Sequence, residues 1–315
     1  MTCLSPFRLT PEYRDYVWGG DRLRPGIVPT AEAWVVYAGD LVANGPYEGR
    51  QLSDLAQELG ADLLGQRAVD TTGARFPLLV KLLDCAQWLS LQVHPNDRQA
   101  AALEGPGFFG KTEAWYVLEA QPGAQLIAGL KPGTSQLEME QAMRSGKISE
   151  RSQYLDVHKG DSIFMAPGTI HALGPGLLIY EVQQTSDITY RVFDWNRPQT
   201  ATRKLHIAQS ILVSNPAASA KAVPEMEIPD GGRQVVLQCE YFTLESLNAR
   251  TKSIALDTAC ESFHAITLLE GQAHLVWADG ELGLEKYGTA IVPACAGSYQ
   301  IVPGPEGCRA LKASV

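Results

Sequence analysis

The sequence predicts an all-β dominated fold, arranged as two β-domains of unequal size with helical insertions. Its 315 residues exceed what one ordinary domain of roughly 150 residues holds. Gly (29) and Pro (19) make up about 15% of the chain against a usual ~12%, which favours many turns over long helices. Between those turns lie short runs that alternate in polarity or are rich in β-branched residues, as strands are.

The strand candidates of the first domain run in the order WVVYAG from Trp34, FPLLVKLLD from Phe76, LSLQVHP from Leu89 and AWYVLEA from Ala114. QLIAGL from Gln125, DSIFMAP from Asp161, LLIYEVQQ from Leu177 and ITYRVFDW from Ile188 follow. Three segments read as helices instead. Residues 51–66 place Leu52, Leu55, Leu59 and Leu63 at helical spacing, with Ser53 as an expected N-cap. Residues 135–145 and 203–213 are the other two, the last stopping before Asn215-Pro216. The stretch 214–233 is rich in Pro, Ala and Gly without hydrophobic period and suits a linker. The expected division is therefore a first domain at 1–215, a linker at 216–233 and a smaller β-domain at 234–315.

Composition narrows the function. A net charge of −9 with no Lys/Arg run argues against nucleic acid or acidic lipid as partner, because both need a basic face. No apolar run reaches the ~18 residues of a membrane span, and the first twenty residues lack the basic-then-apolar order of a signal peptide, so a cytoplasmic protein is expected. Six cysteines without a C-x-x-C pair read as reduced core thiols rather than a disulfide or zinc scaffold.

Chemistry concentrates in 90–97, Ser-Leu-Gln-Val-His-Pro-Asn-Asp. Strand residues two apart share a face, so Ser90, Gln92 and His94 point one way and Leu91 and Val93 the other. The same count puts Lys111 and Glu113 together, and His171 closes the segment GDSIFMAPGTIHAL. Two imidazoles, a carboxylate and an amide oxygen can form the inner shell of a borderline divalent ion, with Zn–N near about 2.0–2.1 Å and positions left open. Taken singly, each His reads more readily as a satisfied polar residue; their co-occurrence with Gln and Glu is what points to a metal. His158, His206, His264 and His274, and the six Trp, read as turn, cap, surface or core residues.

The segment GDSIFMAPGTIH resembles the second motif of cupins, and Gln92-x-His94 followed by Glu113 resembles a modified first motif. More narrowly, LSLQVHPND, GKTEAWYVL, GTIHALGPG and EVQQTSDITYRVFDWNR, with FPLLVKLLD and RKLHIA, resemble the type I mannose-6-phosphate isomerases in their short bacterial form over roughly residues 10–215. That resemblance implies two cupin-like (jelly-roll) β-barrels, the second without a metal site. It also implies one divalent metal, of the zinc type, held by Gln92, His94, Glu113 and His171. It places Arg191, Lys111 and Glu181 in the active site, and Lys81 and Ser90 at the substrate phosphate. One run departs from the family: Ala31-Glu32-Ala33-Trp34-Val35 stands where the family tends to have Gly-Glu-Ser-Trp-Glu, which bears on hexose preference.

The implied reaction interconverts mannose 6-phosphate and fructose 6-phosphate through an enediolate. Its proton is taken by Glu181, Lys111 or a metal-bound hydroxide, among which the sequence does not choose. Arg191, always cationic, suits an anchoring or transition-state role, against a structural ion pair with Asp187 or Asp194. Two alternatives stay open: a non-haem Fe(II) cupin oxygenase, and a regulatory cupin that binds a sugar phosphate without turnover. The partner expected in each isomerase or regulatory reading is a small sugar phosphate, bound by a monomer or homodimer.

Overall fold

The computed structural model describes residues 4–200 and 203–315. Strands take up 42% of the chain and helices 17%, so the fold is mostly β as expected. The strands begin, in chain order, with β1 (Phe7–Thr10), β2 (Glu12–Arg14), β3 (Glu32–Val36), β4 (Leu41–Val42), β5 (Leu78–Cys85), β6 (Leu91–Val93) and β7 (Glu113–Ala120). They continue with β8 (Gln125–Leu130), β9 (Ser152–Asp156), β10 (Ser162–Met165), β11 (His171–Leu173), β12 (Leu177–Gln184), β13 (Tyr190–Phe193) and β14 (Ala222–Val223). Last come β15 (Gly232–Gln238), β16 (Thr243–Ala249), β17 (Ile254–Asp257), β18 (His264–Trp277), β19 (Gly280–Leu284), β20 (Thr289–Val292) and β21 (Ser298–Ser314). The helices are α1 (Leu52–Leu59), α2 (Ala61–Leu64), α3 (Gln66–Thr72), α4 (Asp97–Leu103), α5 (Gln136–Arg144), α6 (Ile148–Arg151) and α7 (Ile207–Val213).

The chain packs as two compact units, and packing groups the residues differently from chain order. One unit comprises residues 13–33 and 81–225, the other residues 1–12, 34–80 and 226–315. In the second of these a sheet runs β15-β16-β21-β18-β20-β1-β4, with β17 on β21 and β19 on β18. Its core gathers Leu247, Ile266, Leu268, Leu275, Tyr299 and Ile301. The stretch expected to be a plain linker carries the two-residue strand β14, paired with β10.

The unit of residues 13–33 and 81–225 carries the candidate site. One sheet is ordered β14-β10-β7-β12-β5-β3-β2, the other β13-β6-β11-β8-β9. Trp115, Val117, Ile163, Met165, Ile179 and Leu83 from the first sheet pack against Leu126, Ala128 and Leu173 from the second. On the opposite side of the five-stranded sheet, Leu91, Val93, Ile127, Ala172, Tyr190 and Val192 are covered by Met139 and Met143 of α5, Ile148 of α6 and Val213 of α7. Strand alternation thus divides each short strand between an inner, sheet-to-sheet face and an outer, helix-covered one.

Several expected elements differ. The helix expected over 51–66 is two short helices, α1 and α2, with α3 beginning at its end, because Gly60 (φ +48°) and Gly65 (φ +85°) take a backbone conformation that interrupts it. Ser53 lies inside α1; Gln51 is the N-cap residue and makes no side-chain cap. The helix expected over 203–213 starts only at Ile207, whereas that over 135–145 forms at Gln136 with a capping box on Ser135. Helix α4 was not expected, though Asn96 and Gln99 form a reciprocal capping box at its start. Of the cysteines, Cys85 and Cys308 are buried, Cys239 and Cys295 half-buried, and none of the five described is in a disulfide. Cys260 is exposed, so the core assignment fails there; Cys3 lies outside the described residues.

Candidate metal centre

On the five-stranded sheet, Gln92 pairs directly with His171 of β11 on one side and with Arg191 of β13 on the other. Directly opposed residues in an antiparallel pair project to the same face, so Arg191, Gln92 and His171 form a row across three strands. That face is the inner one, because Leu91, Val93, Ala172, Tyr190 and Val192 are packed on the other. The seven-stranded sheet answers with its own row. Glu113 of β7 pairs with Gln183 of β12 and Met165 of β10, and Trp115 pairs with Glu181 and Ile163. Inner-facing apolar residues fill most of the space between the sheets; the polar rows line it where the apolar ones stop.

Here the sequence-predicted ligands converge. The candidate ligand atoms of His94, Glu113 and His171 all lie within 4.8 Å of one another, and all three residues are buried. His171 Nε2 is 3.1 Å from Glu113 Oε1 and His94 Nε2 is 3.4 Å from Glu113 Oε2. The Gln92 amide nitrogen, Nε2, lies 3.3 Å from His171 Nε2, so an amide rotated by half a turn would present its oxygen there instead. Each imidazole is held by a backbone carbonyl: Ile188 O is 2.7 Å from His94 Nδ1, and Thr169 O is 2.8 Å from His171 Nδ1. A carbonyl only accepts, so both rings carry their proton on Nδ1 and turn the Nε2 lone pair inward. Glu113 Oε1 is buried without a hydrogen-bond partner. The Lys111 ammonium contacts both His94 Nε2 and Glu113 Oε2, whereas Glu113 Oε1 and His171 Nε2 face one another at 3.1 Å; imidazole, carboxylate and amide oxygen are donors that suit a borderline divalent ion.

Electrostatics favours the ligand forms of these groups. Burial, with the Lys111 ammonium adding to it, pushes the His94 imidazole down to about 4, so it is neutral near pH 7. Burial alone would push the Glu113 carboxyl up; Lys111, His94 and His171 outweigh it and hold the carboxyl well below its ordinary value. The Lys111 ammonium donates to Glu113 Oε2 at 2.6 Å and sits 3.1 Å from His94 Nε2.

The remaining predicted residues surround this cluster. Glu181 is buried; its Oε2 accepts from the Trp115 indole at 2.9 Å and its Oε1 lies 3.2 Å from Lys81 Nζ and 4.0 Å from Lys111 Nζ. Lys81 is flanked on its other side by Glu32 at 3.7 Å. Burial works against its ammonium, but Glu32 and Glu181, with Glu113 behind them, raise it above an ordinary lysine. Ser90 is buried just before β6. Asp194 pairs with Arg197 and Arg203, which leaves the alternative of a structural ion pair between Asp194 and Arg191 without support. Arg191 Nη1 instead donates to the Lys204 carbonyl at 3.1 Å, and its buried Nε has no hydrogen-bond partner. Burial and the Arg203 charge lower the Arg191 guanidinium from its ordinary value, although it stays cationic near neutrality.

Sequence reasoning missed three participants. Glu32 was read only as part of a departing run, Trp115 only as core, and Gln183 not at all. The count of two along β12 that puts Gln183 on the face of Glu181, and along β7 that puts Trp115 on the face of Glu113, was the available signal. Of the other histidines, His206 accepts from the Arg191 backbone N–H at 3.2 Å, His264 is buried 2.8 Å from the Tyr299 hydroxyl, and His158 and His274 are exposed.

The chain is similar to several known proteins. The family model described as phosphomannose isomerase type I, catalytic domain, matches residues 6–108. A mannose-6-phosphate isomerase of Streptococcus mutans is 35% identical over 309 residues, covering 94% of this chain and 95% of that one. The crystal structure of the mannose 6-phosphate isomerase of Bacillus subtilis superposes with a TM-score of 0.87 at 31% identity, over 99% of this chain and 100% of that one. A zinc-bound mannose 6-phosphate isomerase shares the fold with a TM-score of 0.77 at 17% identity, over 98% and 99% of the two chains.

Proposed function

The chain belongs to the type I phosphomannose isomerases, and from that premise we propose that it interconverts D-mannose 6-phosphate and D-fructose 6-phosphate with one divalent ion, zinc, held by Gln92, His94, Glu113 and His171. The observation that carries the reading is the convergence of two inward Nε2 lone pairs and an unpartnered Glu113 oxygen at one buried point. Zinc is supported by the donor set and by the zinc-bound relative of the same fold. We place this site in the first of two cupin-like jelly-roll barrels, residues 234–315 forming most of the second, in a cytoplasmic enzyme.

Moving a proton between C2 and C1 of the sugar develops negative charge on its two neighbouring oxygens. A bound divalent ion supplies Lewis-acid stabilisation of that charge, worth several kcal/mol. The chain's own residues do the rest. Glu181 is the proton carrier we assign: it is buried beside the cluster, and its carboxylate is fixed by the Trp115 indole on Oε2 and by Lys81, 3.2 Å from Oε1. Lys111 is committed to Glu113 at 2.6 Å, which suits an electrostatic role rather than proton abstraction. Arg191, in the row with Gln92 and His171, offers a fixed cation to an oxyanion. Lys81 and Ser90 are assigned to the phosphate end, Lys81 doing double duty because it also holds Glu181.

A coupled assay tests the reading. Purified protein should form fructose 6-phosphate from mannose 6-phosphate, lose that activity to a chelator and regain it with zinc. Oxygen uptake with Fe(II), or sugar-phosphate binding without turnover, would contradict it.

A further inference from the structure

We propose that Gln183 is a positioning residue of the metal centre, fixing the His94 imidazole through the loop at residues 184–188. The inference rests on the reading of His94 as a metal ligand. Gln183 is fully buried on β12, directly opposite Glu113, so the two side chains share the inner face. A primary amide is a poor choice for packing there, since an unmatched donor or acceptor is costly in a dry interior.

Its Nε2 group donates to two backbone carbonyls of the chain that follows, Gln184 O at 3.0 Å and Ser186 O at short range. Both partners only accept, which assigns the amide nitrogen to that side and leaves Oε1 buried without a hydrogen-bond partner. Two residues beyond Ser186, the Ile188 carbonyl accepts the Nδ1–H of His94 at 2.7 Å. The same loop is tied to the segment leading into β7: the Ser186 hydroxyl donates to Phe109 O at 2.9 Å and the Thr112 N–H to Gln184 Oε1 at 2.8 Å. One amide therefore anchors the loop whose carbonyl sets both the tautomer and the ring direction of His94. Carbonyl partners of this kind orient ligating imidazoles and raise their basicity.

Gln183→Met keeps the side-chain length and removes the donor. The test is the ¹⁵N-histidine NMR spectrum of zinc-loaded parent and variant, together with the zinc Kd from chelator competition. The parent is expected to show protected Nδ1–H signals for both His94 and His171. The variant is expected to lose the His94 signal, keep that of His171, which rests on Thr169 instead, and bind zinc ~10–100-fold more weakly. An unchanged His94 signal with unchanged zinc affinity overturns the proposal. If the methionine variant does not fold, Gln183→Glu, similar in size but without an N–H, is read by the same pair of signals: loss of His94's alone supports the proposal, retention of both overturns it. A parent protein that binds no zinc would overturn the metal reading itself; a zinc-binding parent with an indifferent variant overturns this inference alone.

Discussion

Replacing Lys111 by Met should destabilise the metal-free protein far more than the zinc-loaded one. The Lys111 ammonium lies 2.6 Å from Glu113 Oε2, and the two side chains are 4% and 0% exposed, so solvent screens the pair little. Removing one partner of such a pair strands a buried charge and costs ~3–5 kcal/mol. For a cooperative body of about 150–250 residues each kcal/mol moves Tm by ~2–4 °C, which places the metal-free variant roughly 6–20 °C below the parent. Zinc restores a cation beside Glu113, so the Tm gap should shrink on loading, and the variant should gain more from zinc than the parent does. Differential scanning calorimetry of both proteins, with chelator and with excess zinc, reads this directly. A metal-free variant melting within about 2 °C of the parent, or a gap that does not shrink with zinc, would refute the argument that Glu113 is a buried charge waiting on a cation.

Other substitutions separate the remaining roles. His171→Ala should lose bound metal and activity together, checked by elemental analysis alongside the coupled assay. Arg191→Ala should keep the metal while kcat falls by ~10²–10³-fold, as for loss of one charge-stabilising donor; near-normal kcat would remove Arg191 from the reaction. Lys81→Met should raise KM for mannose 6-phosphate and lower kcat, and an unchanged ratio of kcat/KM between mannose 6-phosphate and mannose would end its assignment to the phosphate. In the unit holding residues 226–315, burial and then the Lys312 and Arg233 charges push the His264 imidazole down to about 3 from 6.5. Between those values the unfolded chain binds a proton there that the folded chain does not, so stability falls as pH falls, by up to ~1.4 kcal/mol per pH unit. Denaturant titrations at pH 7, 5 and 4 should show a shallower decline for His264→Gln than for the parent; parallel declines would contradict this.

Which candidate residues share a face was legible from local counts. Gln92 and His94 share a face by strand alternation, and their outward neighbours Leu91 and Val93 are apolar for the helices that cover them. Which strand lies opposite which is a long-range matter: nothing in the local sequence says that Gln183 faces Glu113 or that Arg191 stands beside Gln92. The grouping of residues 1–12 and 34–80 with 226–315 was hidden for the same reason, since β1 finds its partner β20 some 280 residues away. The helix over 51–66 failed more simply. Leucine spacing persists across Gly60 to Leu63, and the period alone does not register that Gly60 turns the backbone. Helix α4 was readable from Asn96 and Gln99, and was passed over because the strand pattern of LSLQVHP runs straight into it.

The most direct test of the metal centre is crystallographic. A crystal grown with zinc and measured on both sides of the zinc absorption edge should give one strong anomalous peak at bonding distance from His94 Nε2, His171 Nε2, a Glu113 oxygen and the Gln92 amide oxygen. A peak elsewhere, or none while these four side chains stay packed together, would contradict the account.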